Sequence, residues 1–490
     1  MTGPVVLHDV RVPGGERPLD VRIAAGRVVA VADSTGSARG LARAGDEVVR
    51  WAGAYVLPGF VDGHVHWTQW AQARRRVDVT ASVSAVEAVA AIVRSGVRGD
   101  VVRAQGYRSA LWAEQPHKDL LERALPGVAV AVVSMDLHAV WLSPAALARL
   151  GLDHPTGVLR EQAGFDAQRA LSELEPPAVL DRWVAEASAA AAARGITGIL
   201  DFEFADNAAD WSRRAAAGDP AVRVRAAVWE PWLDAAIAAG RRTGDVLPGT
   251  NGLVRTGPLK IIADGSLNTR TAYCHHRYPD PGDDHGLLLV EPEALRALMA
   301  KGGAHGLHPA VHAIGDRATT VVLDAFDTVD GPGRIEHAQL VDPADLPRFA
   351  RPGLVASVQP QHAVADRDVA DRHWAPVAAH AFPYAALLAA GARLELGSDA
   401  PVSEPDPWAA VADAVTRTDD DRPPWHPQQA IPLPVALAGA AAGRGLPGVG
   451  EEADLVVVGA DPLRTPATDL RRMPVLATLR GGEWTFRAGG

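Results

Sequence analysis

From residue 56 to residue 399 the chain keeps returning to one pattern: a short apolar run, a polar or glycine-bearing break, then apolar positions at helical spacing. Eight runs have this form, at residues 56–63 (VLPGFVDG), 196–202 (ITGILDF), 222–229 (VRVRAAVW), 259–264 (LKIIAD), 308–314 (HPAVHAI), 334–339 (RIEHAQ), 354–361 (LVASVQPQ) and 393–399 (RLELGSD). A strand covered on both faces reads as a nearly continuous apolar run, not an alternating one. Segments such as ALRALMAKGGAHG and ATTVVLDAFDTV supply helical periodicity between them. Eight strands alternating with helices predict an α/β fold, a (β/α)8 TIM-type barrel. A doubly wound open sheet shares the alternation, but no glycine-rich dinucleotide loop supports it.

Outside this region the pattern changes. Short strand-like runs separated by glycine turns fill the beginning (VVLHDVRV, LDVRIAAGRVVAVA, EVVRWAGAYV) and the end (ADLVVVG, VLATLRGGEWTF). Neither end holds enough strands for a stable sheet of its own. The two are expected to combine into one composite β-sandwich. The resulting division is 1–55 and 441–490 for the sandwich and 56–440 for the barrel. Between the first and second barrel strands, about 67–195, lies a stretch far longer than an ordinary βα connection. It carries strand and helix patterns of its own and is expected to form an inserted cap over the barrel mouth.

The apolar runs end on residues that carry chemistry. His64 and His66 are two apart at the end of the first run, and side chains at i and i+2 of a strand share a face. Lys260, His312, His337 and Asp399 mark later runs. In a (β/α)8 barrel all of these fall on the C-terminal rim, where such barrels place their active sites. Imidazole and carboxylate suit zinc or a similar divalent ion. The set is too large for one open tetrahedral site. It allows two ions, or one ion with a spare histidine acting on protons. A lysine ammonium beside cations would be repelled, so Lys260 must be neutral, distant or modified; as a carbamate it could bridge two ions. His138, His154, His275, His276, His305, His308, His362 and His380 read first as hydrogen-bonded structural residues.

Composition narrows the partners. A formal charge of −11 over 490 residues, with no basic block, argues against nucleic acid. No stretch offers about twenty uninterrupted apolar residues, so no membrane span is expected. Cys274 is the only cysteine, which excludes an intrachain disulfide. The opening MTGPVVLHDV lacks the charged-then-apolar pattern of a secretory leader. Cytoplasmic residence is the resulting expectation.

Taken in order, VLPGFVDGHVH, LKIIADGSLNTRTA, VHAIGDRA, RIEHAQ, SVQPQH and LGSDAPV resemble the motifs of the metal-dependent amidohydrolase superfamily, in the branch (amidohydrolase family 3) that contains N-substituted formamide deformylase. SMDLHAVWLSPAAL and ADLVVVGADPL extend the resemblance over nearly the whole chain. It implies a barrel with a composite sandwich and one or two divalent ions, zinc first among them. His64, His66 and Asp399 would hold one ion. His312 and His337 would hold another, bridged by carboxylated Lys260. It further implies hydrolysis of a non-peptide carbon–nitrogen bond in a small molecule through a metal-activated hydroxide, with Asp399 as general base and acid. Asp264, Arg270 and His138 match substrate-side positions, and Trp67 is expected beside the substrate because it follows the ligand pair. The resemblance is compatible with a homodimer. Asn268 stands where a glycine is common in relatives, and the threonine and glycine–lysine turn before the closing strand are missing. Two other readings compete: a mononuclear deaminase using His64, His66, one later histidine and Asp399, and a non-catalytic ligand-binding barrel.

Overall fold

The computed structural model describes residues 3–34, 40–279, 285–445 and 448–489. At its centre is a sheet of eight parallel strands, Phe60–Val65, Ile196–Asp201, Arg223–Trp229, Val254–Ile262, Pro309–Ala313, Gly333–His337, Leu354–Val358 and Arg393–Leu396, each paired with the next. The eighth returns to the first just beyond its own end. Asp399 N–H donates to His64 O and His66 N–H donates to Ala400 O, both at 2.7 Å. Asp62 reinforces the seam by accepting from the N–H groups of Ser398 and His64. The sheet is thereby a (β/α)8 barrel, with helices such as Asn207–Ala217, Pro292–Ala304 and Asp316–Phe326 between strands.

All eight apolar runs overlap a barrel strand, but the first run overlaps two strands. Tyr55–Pro58 pairs antiparallel with Leu455–Val458, which continues into Val475–Arg480 and Glu483–Arg487. Only after Gly59 does the chain enter the barrel. The boundary drawn at 55/56 therefore falls inside a sandwich strand. Both strands are buried, so their apolar runs merge in the sequence across Pro58–Gly59. The opposing sheet contains Arg27–Asp33, Leu19–Ala24, Val5–Val10 and Glu47–Arg50. Val5, Leu7, Val21 and Ile23 meet Val56, Leu455, Val457 and Leu479 in a common core.

The long excursion after the first barrel strand divides in three. Helices Trp67–Ala73 and Pro177–Ala192 belong to the barrel's own outer layer, where Trp67, Trp70, Val184 and Ala187 share a core with Ile196 and Ile199. The separate unit is the part between them. Its five-stranded sheet runs Val158–Arg160, Ala139–Leu142, Val130–Ser134, Val102–Tyr107 and Val77–Asp78. Helices Ala85–Ser95 and Lys118–Ala124 cover one face, and Pro144–Arg149 and Glu161–Glu173 the other. Among the described residues, no helix is long and apolar enough to cross a membrane.

Candidate metal centre and active site

The six residues expected as metal ligands gather at one end of the barrel. His64 Nε2 lies 3.4 Å and His66 Nε2 3.3 Å from Asp399 Oδ1. Ligand atoms of His64, His337 and Asp399 fall within 4.8 Å of one another. The His337 ring is 4.8 Å from that of His64 and 4.5 Å from that of His312, centroid to centroid. Lys260 Nζ stands 4.4 Å over the Phe202 ring, which itself packs on His64. His337 and Asp399 both hold left-handed backbone, φ 77° and 58°. Such strain in residues other than glycine collects at functional sites, where surrounding structure must enforce it.

The far nitrogen of three histidines meets an acceptor. His64 Nδ1 donates to Glu336 Oε2 (2.8 Å), His337 Nδ1 to Gln359 Oε1 (2.9 Å) and His312 Nε2 to Gly265 O (3.1 Å). Each contact places the proton on the remote nitrogen and leaves a lone pair on the other. Metal-ligating histidines are oriented in this way by their outer partners. Glu336 is fixed in turn by Arg334, which reaches Glu395 and the Gly63 carbonyl through its other nitrogens.

Electrostatics agree with that arrangement. Burial, aided by the Lys260 charge, lowers the His64 pKa to about 4, and burial also holds His312 and His337 well below the ordinary imidazole value. All three are neutral at physiological pH, as ligands must be. Burial alone would raise Asp399, but its contacts with the His64/His66 pair, including the hydrogen bond from His66, hold it well below the carboxylate range, so it is ionised. Burial pushes Lys260 down to about 8. Lys260 Nζ and His66 Nδ1 are buried without a partner. An unpaired buried polar atom costs about 1–3 kcal/mol. These orphans, the three oriented lone pairs and the ionised carboxylate fit a divalent cation.

The four residues expected on the substrate side separate. His138 comes from the inserted unit, its ring 5.8 Å from that of His312. Its Nδ1 donates to Glu161 Oε2 at 2.8 Å, and Glu161 Oε1 accepts from the hydroxyls of Thr269 and Thr271. Burial would lower its pKa, yet the Glu161 carboxylate lifts it to about 9. Ser266 Oγ donates to Asp136 at 2.5 Å, fastening the same loop to the insertion. The inserted unit therefore does meet the barrel mouth.

Arg270 is half-buried on that loop, in left-handed backbone with φ 61°. Asp264 is corrected. Its carboxylate is fully buried and accepts from the N–H groups of Ile314, Gly315 and Tyr273, with Oδ1 also 3.4 Å from His312 Nε2, so it braces two rim loops beside His312. Burial pushes its pKa up to about 7. Trp67 is corrected as well. Its side chain is fully buried against Trp70, and its indole N–H donates to Ser188 Oγ at 3.0 Å. The helix that begins there turns this face toward Pro177–Ala192, away from the rim.

Sequence reasoning passed over Glu336, Gln359, Glu161 and His362. The first two sit next to strand ends, but their partners are remote in sequence. His362, read as structural, lies on helix Pro360–Ala365 directly after the seventh strand, with Nε2 3.9 Å from Asp399 Oδ2. Its place just beyond a strand's C-terminal end was the available signal.

The chain is 28% identical over 467 residues to protein LONG AFTER FAR-RED 3 of Arabidopsis thaliana, covering 84% of this chain and 77% of that protein. It is 25% identical over 527 residues to N-substituted formamide deformylase of Arthrobacter pascens, covering 96% and 95%. Among solved structures, an uncharacterized metal-dependent hydrolase from Pyrococcus horikoshii OT3 superposes with a TM-score of 0.80 at 24% identity, covering 95% of this chain and 99% of that one. The amidohydrolase family model matches residues 47–486, from the sandwich through the barrel to the last strand, and the chain belongs to that family.

Proposed function

We propose that the protein is a metal-dependent hydrolase of a non-peptide carbon–nitrogen bond in a small amide, N-substituted formamide or cyclic amide. The observation that carries this reading is the pair of buried histidines, His64 and His337, whose outer partners leave neutral lone pairs within 4.8 Å of an ionised Asp399. Family membership and similarity to the formamide deformylase support the bond type. His64, His66 and Asp399 would hold one ion, and His312, His337 and Lys260 a second. A bound zinc or similar ion supplies a Lewis acid and a water of lowered pKa.

The chain's own residues do the rest. Asp399, ionised and adjacent to both members of the His64/His66 pair, accepts a proton from water and delivers it to the leaving nitrogen. Lys260, which burial brings to about 8, keeps a neutral fraction whose nitrogen can add to carbon dioxide and lose one proton to solvent, giving an anionic carbamate. The inserted unit is fastened to the rim loop through Glu161 and Asp136.

The test is turnover of a panel of small amides by metal-replete protein, with metal content measured on the same sample. We expect release of acid and amine, and a loss of about 10²–10⁴-fold in kcat for Asp399→Asn. Short carboxylic acids should restore part of the activity lost in Lys260→Ala. Fully metallated protein that cleaves no carbon–nitrogen bond would overturn the reading.

A further inference from the structure

The histidine that the metal ligands leave aside has its proton on the opposite side. His362 is 4% exposed, and its Nδ1 lies 3.3 Å from Gln339 Nε2. With Gln339 so oriented, its NH2 donates while its Oε1 is left without a partner, Nδ1 is the acceptor, and the neutral ring carries its hydrogen on Nε2. At His64, His312 and His337 an oxygen faces the outer nitrogen and frees a lone pair for the centre. His362 instead presents an N–H. That N–H is buried and has no partner. Asp399 Oδ2, 3.9 Å away, is beyond hydrogen-bond reach. The ring lies nearly parallel to that of His337, at 12° with centroids 6.3 Å apart, so it stands on the same rim as the ligands.

We propose that His362 is not a metal ligand but a substrate-contacting residue, donating its Nε2 hydrogen bond to the carbonyl oxygen of the bond being cleaved. The proposal rests on the hydrolase reading above. As water adds to the carbonyl carbon, the oxygen gains charge and the bond from Nε2 tightens. When the C–N bond breaks and C=O re-forms, it relaxes, and no proton leaves His362. A fixed donor aimed at developing charge acts mainly on kcat. Gln339 is the positioning residue, because its amide sets the tautomer.

The test compares wild type with His362→Phe, which keeps a ring and removes the donor, and His362→Gln, which returns an N–H near the Nε2 position. Metal content, kcat and KM on an N-substituted formamide, and Kd for inorganic phosphate as a tetrahedral oxyanion are measured on metal-loaded protein. Nitrogen NMR of labelled histidine reads the tautomer of His362. We expect unchanged metal content and the Nε2–H tautomer. The phenylalanine variant should lose about 10²–10³-fold in kcat with little change in KM, and glutamine should recover at least about tenfold. Phosphate should bind about tenfold more weakly to His362→Phe, the loss of one hydrogen-bonded donor. Loss of an ion in His362→Phe, unchanged kcat, or an Nδ1–H tautomer would each overturn the proposal. Wild type inactive on every amide would defeat the hydrolase reading alone, since the phosphate and tautomer measurements still decide the role of His362.

Discussion

A single hydrogen-bond partner decides what each rim histidine can do. Glu336 faces His64 Nδ1 with a carboxylate that the Arg334 guanidinium and His64 hold well below its ordinary pKa despite burial. A charged acceptor makes the imidazole a stronger ligand than an amide would. Glu336→Gln should therefore weaken metal binding by about 10–100-fold while the fold persists, because Arg334 keeps its pair with Glu395. Competition with a chelator of known affinity measures this, and unchanged affinity would mean that Glu336 serves the barrel interior alone. The positions of the six rim residues were legible in the sequence, since a strand end and a donor type suffice to place a residue on a barrel rim. Direction within the rim was not. Asp264 follows the lysine strand as a substrate-side group would, yet three amides of later loops hold its carboxylate. His362 looked ordinary because Gln339, which sets its tautomer, belongs to the end of a different strand.

At the scale of elements, the eight barrel strands could be read because burial on both faces makes each a continuous apolar run. The limits of the insertion could not. Helices Trp67–Ala73 and Pro177–Ala192 have ordinary amphipathic patterns, and only their mutual packing assigns them to the barrel's outer layer. The other tryptophans of this stretch are structural: Trp70 joins that layer, while Trp112 and Trp141 fill the core of the inserted sheet. Trp67→Phe tests the reassignment. It retains the ring packing and removes the indole donor to Ser188, whose hydroxyl also donates to Val184 O and so stays satisfied. The expected cost is about 0.5–1.5 kcal/mol of stability, the net worth of one hydrogen bond. Ratios of kcat/KM among amide substrates should not change. Denaturant unfolding and the kinetic ratios are the measurements, and altered selectivity at unchanged stability would put Trp67 back at the substrate.

Across the whole molecule, the strand that carries His64 is a direct continuation of the sandwich, with Gly59 as the joint. Its N–H donates to Asp454 O in the sandwich at 2.8 Å, while Arg444 donates to its carbonyl. A Cβ at this position would come within 2.2 Å of Thr197 Cγ2 and 2.5 Å of Thr197 Oγ1 on the second barrel strand. Thr197 is fully buried, and its hydroxyl donates to Phe60 O. A β-branched side chain on a strand has little χ1 freedom to swing aside. Gly59→Ala must therefore push the second strand and the sandwich apart, at about 1–3 kcal/mol. The displacement begins five residues before His64, so affinity for the metal should fall together with stability. Gly445→Ala, where a Cβ meets nothing within 4 Å, serves as the control and should stay within about 0.5 kcal/mol of wild type. Thr197→Ser removes the obstructing methyl and should recover part of both losses in the Gly59→Ala background, the coupling expected of residues in contact. Additive effects of the two substitutions on unfolding and on metal affinity would show that the sandwich and the metal centre are mechanically independent.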